Sequence, residues 1–114
     1  MKSYQKVLSR ENCVLSSAGA VKLGDREIKK LKPQVPHWKV IKTGGVKKLR
    51  RVFLFKDFSR ALAFTVKIGR LADAQDHHPA ILTEWGQVTA TLWTHKTNGL
   101  SRNDFILAAK IDAL

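Results

Sequence analysis

"HWKVIKTGGVKKLRRVFLF", residues 37–55, decides the fold. Two runs rich in β-branched and aromatic residues flank Gly44-Gly45, and a Gly-Gly pair supplies the positive φ angles that a tight hairpin turn requires. Leu49, Phe53 and Phe55 alternate onto one face of the second run. Lys48, Arg50 and Arg51 interrupt that pattern, as suits a strand with one solvated face or charge-guarded edges. The stretch therefore predicts an antiparallel hairpin with one face in need of cover.

The flanking sequence supplies that cover. Phe58, Ala61, Leu62, Thr65, Gly69 and Ala72 recur at spacings of three and four, which predicts a helix from Asp57 to about Asp73. Pro79 prevents its continuation, and "ILTEWGQVTATLWTH" (81–95) reads as a second hairpin, with Val88, Ala90 and Leu92 alternating and a turn at Glu84 to Gln87. Ser101 stands three residues before Asp104, a spacing like that of a capping box, and opens a closing amphipathic helix. Upstream, Asp25 caps a short helix through about Lys32, with Ile28 and Leu31 on one face, until Pro33 and Pro36 stop it. The order is α-β-β-α-β-β-α, an α+β sandwich in which two hairpins form an antiparallel sheet under helices.

With 114 residues and 44% apolar content, the chain fits one compact core: a domain over residues 23–114, preceded by a tail or extension over 1–22. It contains no apolar run near the length of a membrane span and no N-terminal hydrophobic stretch of secretory type. A soluble, cytoplasmic protein without membrane association is expected. Residues 1–20, with serines and scattered basic residues, resemble either a loose tail or a presequence for a mitochondrion or plastid. The single Cys13 cannot form an intrachain disulfide, and its neighbours do not suggest an activated thiol.

The net charge of +12 is unevenly placed: residues 1–21 carry +2, residues 22–70 carry +12, and residues 71–114 carry −2. No element suited to entering a nucleic-acid groove is present, so direct nucleic-acid binding is not expected. The basic excess in 22–70 reads as solvated surface, with a protein partner or an acidic surface as the alternative.

Chemistry points elsewhere, to "DHHP" (76–79). Asp73, Asp76, His77, His78, His95 and Asp104 all fall near the ends of expected elements, where a cleft can form. Imidazoles accept and donate protons near neutral pH, so acid/base chemistry is feasible. Metal binding is not expected, because adjacent His77 and His78 in a turn tend to point apart, whereas a helical i, i+4 pair would share a face. No serine occupies a strand-turn-helix elbow, so a covalent nucleophile is not expected either. Each residue also has a plain structural role: Asp104 as a helix cap, Asp73 as partner of a neighbouring base, and His95 as a strand-end residue.

Taken together, Asp73, His77-His78-Pro79, Trp85, His95 and Asp104 resemble the signature of the pterin-4a-carbinolamine dehydratase family: an acidic residue, three residues, His-His-Pro, an aromatic residue, a later His and a final Asp. "FLFKDFSRALAF" and "THKTNGLSRND" resemble further segments of that family, and with Trp38 the resemblance spans roughly residues 25–114. It implies a four-stranded antiparallel sheet covered on one face by three helices, assembled as a homodimer or homotetramer. It also implies dehydration of 4a-hydroxytetrahydropterin to quinonoid dihydropterin, which recycles the cofactor of aromatic amino-acid hydroxylases without a metal or organic cofactor. By the same resemblance His77, His78 and His95 are catalytic, and Asp73, Asp76, Pro79, Trp85 and Asp104 orient histidines or contact the pterin. The family usually has Glu where this chain has Asp73, one methylene shorter. Some proteins resembling the family act instead as non-catalytic modules, as a transcription-factor dimerisation partner or as protein-assembly factors. Retention of the His set together with Asp104 favours the enzyme.

Overall fold

The computed structural model describes residues 7–14 and 21–114. Helix α1 (Asp25–Leu31) runs into a 3₁₀ turn at Lys32–Gln34 and then the hairpin of β1 (Lys39–Thr43) and β2 (Val46–Leu54). Helix α2 (Phe58–Gln75) leads to the second hairpin, β3 (Ala80–Glu84) and β4 (Gln87–Leu92), and a 3₁₀ turn at His95–Thr97 precedes α3 (Arg102–Asp112). The four strands form one antiparallel sheet in the spatial order β1-β2-β4-β3. The α-β-β-α-β-β-α order is thus as expected.

Local chemistry sets the boundaries. Gly44 and Gly45 take φ of 58° and 79°, closing β1 on β2 in a two-residue turn between Thr43 and Val46. Gly24, not Asp25, caps α1, and its N–H donates to Glu27 Oε1 at 3.0 Å. Asp25 lies in the first turn, where a carboxylate meets the positive helix end, and it also pairs with Lys47 of β2. Helix α2 runs to Gln75, two residues beyond the expected end. Asp76 ends it by turning left-handed at φ 50°, a conformation Asp tolerates better than most residues, and Pro79 comes too late to be the stop.

The register sends Leu49 and Phe53 of β2 and Val88, Ala90 and Leu92 of β4 to the inner face, where all three helices meet them. Ile28 and Leu31 of α1, Ala61 and Ile68 of α2, and Phe105, Leu107, Ala108 and Ile111 of α3 complete one core. Trp38 is fully buried at its edge, and Trp38 Nε1 donates to Asp112 Oδ1 at 2.8 Å. On α2 the buried stripe is Ala61, Ile68 and Ala72, whereas Phe58 and Leu62 remain 44% and 46% exposed. The helix carries two apolar stripes, and spacing alone does not say which turns inward. Inside, the small Ala61 and Ala72 allow close approach to the sheet, and Phe64 fills the remaining space against Phe53 and Phe55 at ring distances of 4.7 and 5.1 Å.

The expected tail over 1–22 falls partly on residues 1–6 and 15–20, which lie outside the described residues. Residues 7–14 pack along α3. Leu8 is fully buried in the core, and its N–H donates to Gln34 Oε1 at 3.0 Å. Arg102 donates twice to Glu11, Lys110 Nζ donates to Ser9 O, and the Asn103 side chain exchanges two hydrogen bonds with the Val14 backbone. Cys13 N–H donates to Gln75 Oε1 at 2.8 Å, and burial, followed by the Asp104 carboxylate, pushes the thiol up to about 11. Cys13 is accordingly a packed, inert thiol.

If residues 7–14 belong to the folded unit, Leu8→Ala leaves a cavity in the core and destabilises the protein by about 2–4 kcal/mol. Urea unfolding of the two proteins measures this, and a difference below about 0.5 kcal/mol contradicts it.

Candidate functional site

The site is assembled around one carboxylate. Asp104 lies in the first turn of α3 and is fully buried. Its Oδ2 accepts the Ser101 backbone N–H at 2.9 Å and the Thr94 hydroxyl at 2.8 Å, and its Oδ1 lies 2.6 Å from His77 Nε2. The expected cap is therefore present, and the same carboxylate also anchors a histidine. Thr94 gives its one hydroxyl hydrogen to Asp104, so the Ser101 hydroxyl donates to Thr94 Oγ1 across 2.7 Å. Every donor around the buried charge is matched.

His77 follows the left-handed Asp76, and its backbone N–H donates to Ala72 O at 3.2 Å, which fixes the chain direction as it leaves α2. Because an ionised carboxylate only accepts, His77 Nε2 carries the hydrogen, and Nδ1 is the ring atom left for other partners. The side chain is 11% exposed. His78, the next residue, turns away from Asp104, and its Nε2 lies 3.0 Å from Asp73 Oδ1 in the last turn of α2, with both groups open to water. His95 starts the 3₁₀ turn beyond β4, in a loop tied at its base by the Thr94–Gly99 bridge and bent by Asn98 at φ 51°. The His95 ring lies 4.6 Å from that of Trp93.

These residues enclose a cleft of about 230 Å³, with Asp76, His77 and His78 on one wall and Trp93, Thr94, His95 and Lys96 on the other. Roomier depressions, about 400 Å³ beside Leu54 and Arg60, about 410 Å³ beside Ile28 and Pro36 and about 340 Å³ beside Phe53 and Asp112, are lined by no histidine. Of the residues singled out in the sequence, the structure brings Asp76, His77, His78 and His95 to the cleft, with Asp73 and Asp104 bonded to the two adjacent histidines. Pro79 sits between His78 and β3 and does not line it. Trp85 lies in the β3–β4 turn, 73% exposed. At about 3.3 Å per residue over a five-residue strand, that turn is roughly 16 Å from the His-bearing end.

Trp93, which the spacing reading treats only as an alternating strand residue, is the aromatic wall of the cleft. The available signal was its register: on the same face as Thr89 and Thr91, it reaches the end of the hairpin beside His95. Chemically, the cleft offers three imidazoles at different depths and one indole face. Among the described residues, no three His, Cys, Asp or Glu side chains converge as a metal-ligand group.

A family model described as pterin 4 alpha carbinolamine dehydratase matches residues 21–114. The chain is 46% identical over 107 residues to a Gloeobacter violaceus protein named "Putative pterin-4-alpha-carbinolamine dehydratase 1", covering 94% of this chain and 92% of that one. A similarly designated Nitrosococcus oceani protein is 51% identical over 107 residues, covering 94% and 95% of the two chains. Among solved structures, a transcriptional coactivator/pterin dehydratase from Brucella melitensis superposes with a TM-score of 0.73 at 32% identity, covering 82% of this chain and 97% of that one. A pterin dehydratase-like protein identified as a RuBisCO assembly factor in the alpha-carboxysome shares the fold, with a TM-score of 0.56 at 23% identity, covering 67% and 86%.

The two histidine–carboxylate pairs differ in what their loss costs. Asp104→Ala leaves the Ser101 N–H, the Thr94 hydroxyl and His77 without their acceptor and is expected to cost about 3 kcal/mol or more in denaturant unfolding. Asp73→Ala, at an exposed pair, is expected to match the wild type within experimental error.

Proposed function

Because the chain belongs to the pterin 4 alpha carbinolamine dehydratase family, we propose that it removes water from a 4a-hydroxytetrahydropterin by proton transfer among His77, His78 and His95. The observation that carries this reading is the placing of three imidazoles on one cleft, one of them locked by a buried carboxylate. On this reading the product is a quinonoid dihydropterin and the reaction serves to recycle the tetrahydropterin cofactor of aromatic amino-acid hydroxylases; membership of the family supports it.

The reaction asks for two proton movements. One proton must reach the 4a hydroxyl so that it departs as water when the C–O bond breaks. The lone pair of the adjacent ring nitrogen then forms the new C=N bond, and the proton on that nitrogen goes to a base. His77 suits the base: Asp104 holds its Nε2–H, stabilises the imidazolium that forms, and leaves Nδ1 as the receiving atom. His78, open to water and supported by Asp73, suits the acid and can be reprotonated from solvent. Trp93 gives the cleft an apolar side, and the His95 ring packs beside it at 4.6 Å. Asp76 bounds the same wall as the two histidines.

The purified protein should accelerate dehydration of enzymatically generated 4a-hydroxytetrahydropterin, followed by its absorbance decay. Removing a positioned acid or base costs roughly 10²–10⁴-fold in rate, so His77→Ala with His78→Ala should return the rate to the uncatalysed level. A wild-type rate equal to buffer alone would refute the enzyme.

A contact with another protein through α2 is a second reading, favoured by the exposed stripe of Phe58, Leu62 and Val66 one helical turn apart. It accommodates a homodimer or homotetramer, or a foreign partner in the manner of the binding modules. Leu62→Asp should shift the protein to monomer mass in light scattering if copies associate there, and an unchanged mass argues against this surface.

A further inference from the structure

The basic excess of residues 22–70 is not a uniform coat. Lys47, Arg51 and Arg60 are each paired with a carboxylate, namely Asp25, Asp112 and Asp57. The other twelve basic residues of that stretch form no ion pair among the described residues, nor does Lys96 beyond it; what sets Lys39, Lys48 and Arg50 apart is their place on the sheet. The register places them together. Lys39 lies opposite Arg50 and Arg50 opposite Thr91, all on the sheet face that carries no helix, and Lys48 stands two residues from Arg50 on that same face.

Lys48 is the informative member. Its Nζ lies 3.9 Å from the centre of the Trp93 ring, and that ring lies 4.6 Å from His95. The ammonium is thus held one aromatic ring from the acid/base cleft, half-buried. The indole face engages one side of it and leaves N–H donors free for another partner. Lys96 approaches from the loop as part of the cleft wall itself. The opposing charges are Asp76 on the far wall and Asp73 bonded to His78. The cation–π contact restricts the rotamers of Lys48 before any ligand arrives, which lowers the ordering cost of a charge-assisted bond to an anion.

We propose that the substrate carries an anionic side chain, a phosphate ester or a carboxylate, bound by Lys48 and Lys96 at the mouth of the cleft with Arg50 and Lys39 adding to the local field. This rests on the dehydratase reading and specifies its substrate class. The fused ring lies in the cleft among the histidines, and the side chain leads out past Trp93 across the open sheet face. Charge-assisted contacts of this kind strengthen binding and raise the encounter rate, and both effects weaken with salt.

The test compares kcat/KM for three 4a-hydroxytetrahydropterins: one with a neutral dihydroxypropyl side chain, its phosphate monoester, and one bearing a carboxylate. At low salt an anionic substrate should exceed the neutral one about tenfold or more, with the advantage shrinking at about 200 mM salt. The larger of the two anionic rates identifies the anion. Lys48→Met keeps the apolar stem against Trp93 and should cut the anionic-to-neutral ratio several-fold, mainly through KM. Lys96→Gln, on an exposed turn, should do the same independently of core packing. Equal kcat/KM for all three substrates overturns the side-chain proposal and leaves the dehydratase standing. A ratio undiminished in both variants overturns the assignment to these lysines. Catalysis of none of the three overturns the dehydratase reading and this proposal with it.

Discussion

The buried charge of Asp104 is the constraint on which the rest of the site depends. A carboxylate without water is costly unless donors surround it, and here the donors come from three segments: His77 past the end of α2, Thr94 past the end of β4, and Ser101 at the start of α3. The ends of three elements are fixed relative to one another by one anion at the positive end of a helix. The plain reading of Asp104 as a cap and the functional reading as an anchor are therefore one arrangement. The side chain that begins α3 also fixes the hydrogen on His77.

Strand alternation then divides labour between neighbours. Thr94 is buried and turns to Asp104, while Trp93, one residue earlier, belongs to the opposite face and meets Lys48 and His95. A sheet covered on one side only is what makes this useful. Its dry face supplies a rigid anchor, its wet face supplies an aromatic wall and basic groups, and both reach the cleft within two residues.

Much of this was legible in the sequence, because the signals are local. The Gly44-Gly45 turn, the alternation of Val88, Ala90 and Leu92, and the Ser101–Asp104 spacing each act over a few residues, and together they gave the element order. The adjacency of His77 and His78 correctly suggested rings that part, since they bond to different carboxylates. What was not legible depends on tertiary register. Which apolar stripe of α2 turns inward is decided by how Ala61 and Ala72 fit the sheet. That Trp93 and not Trp85 lines the cleft follows from which end of the second hairpin faces the histidines. The packing of residues 7–14 depends on partners some ninety residues away and has no local signature at all.

That last feature orders events in time. The segment around Leu8 is translated before the groups that hold it: Asn103 and Lys110 are 89 and 101 residues downstream of their partners. At roughly 5–20 residues per second, the segment waits about 5–20 s for its docking surface to be translated. These contacts close a loop of some ninety residues, whose entropy cost exceeds that of the local hairpin turns. The strap of residues 7–14 therefore has no docking surface until α3 has been made, and it ties down the start of that helix at Arg102 and Asn103, beside Asp104.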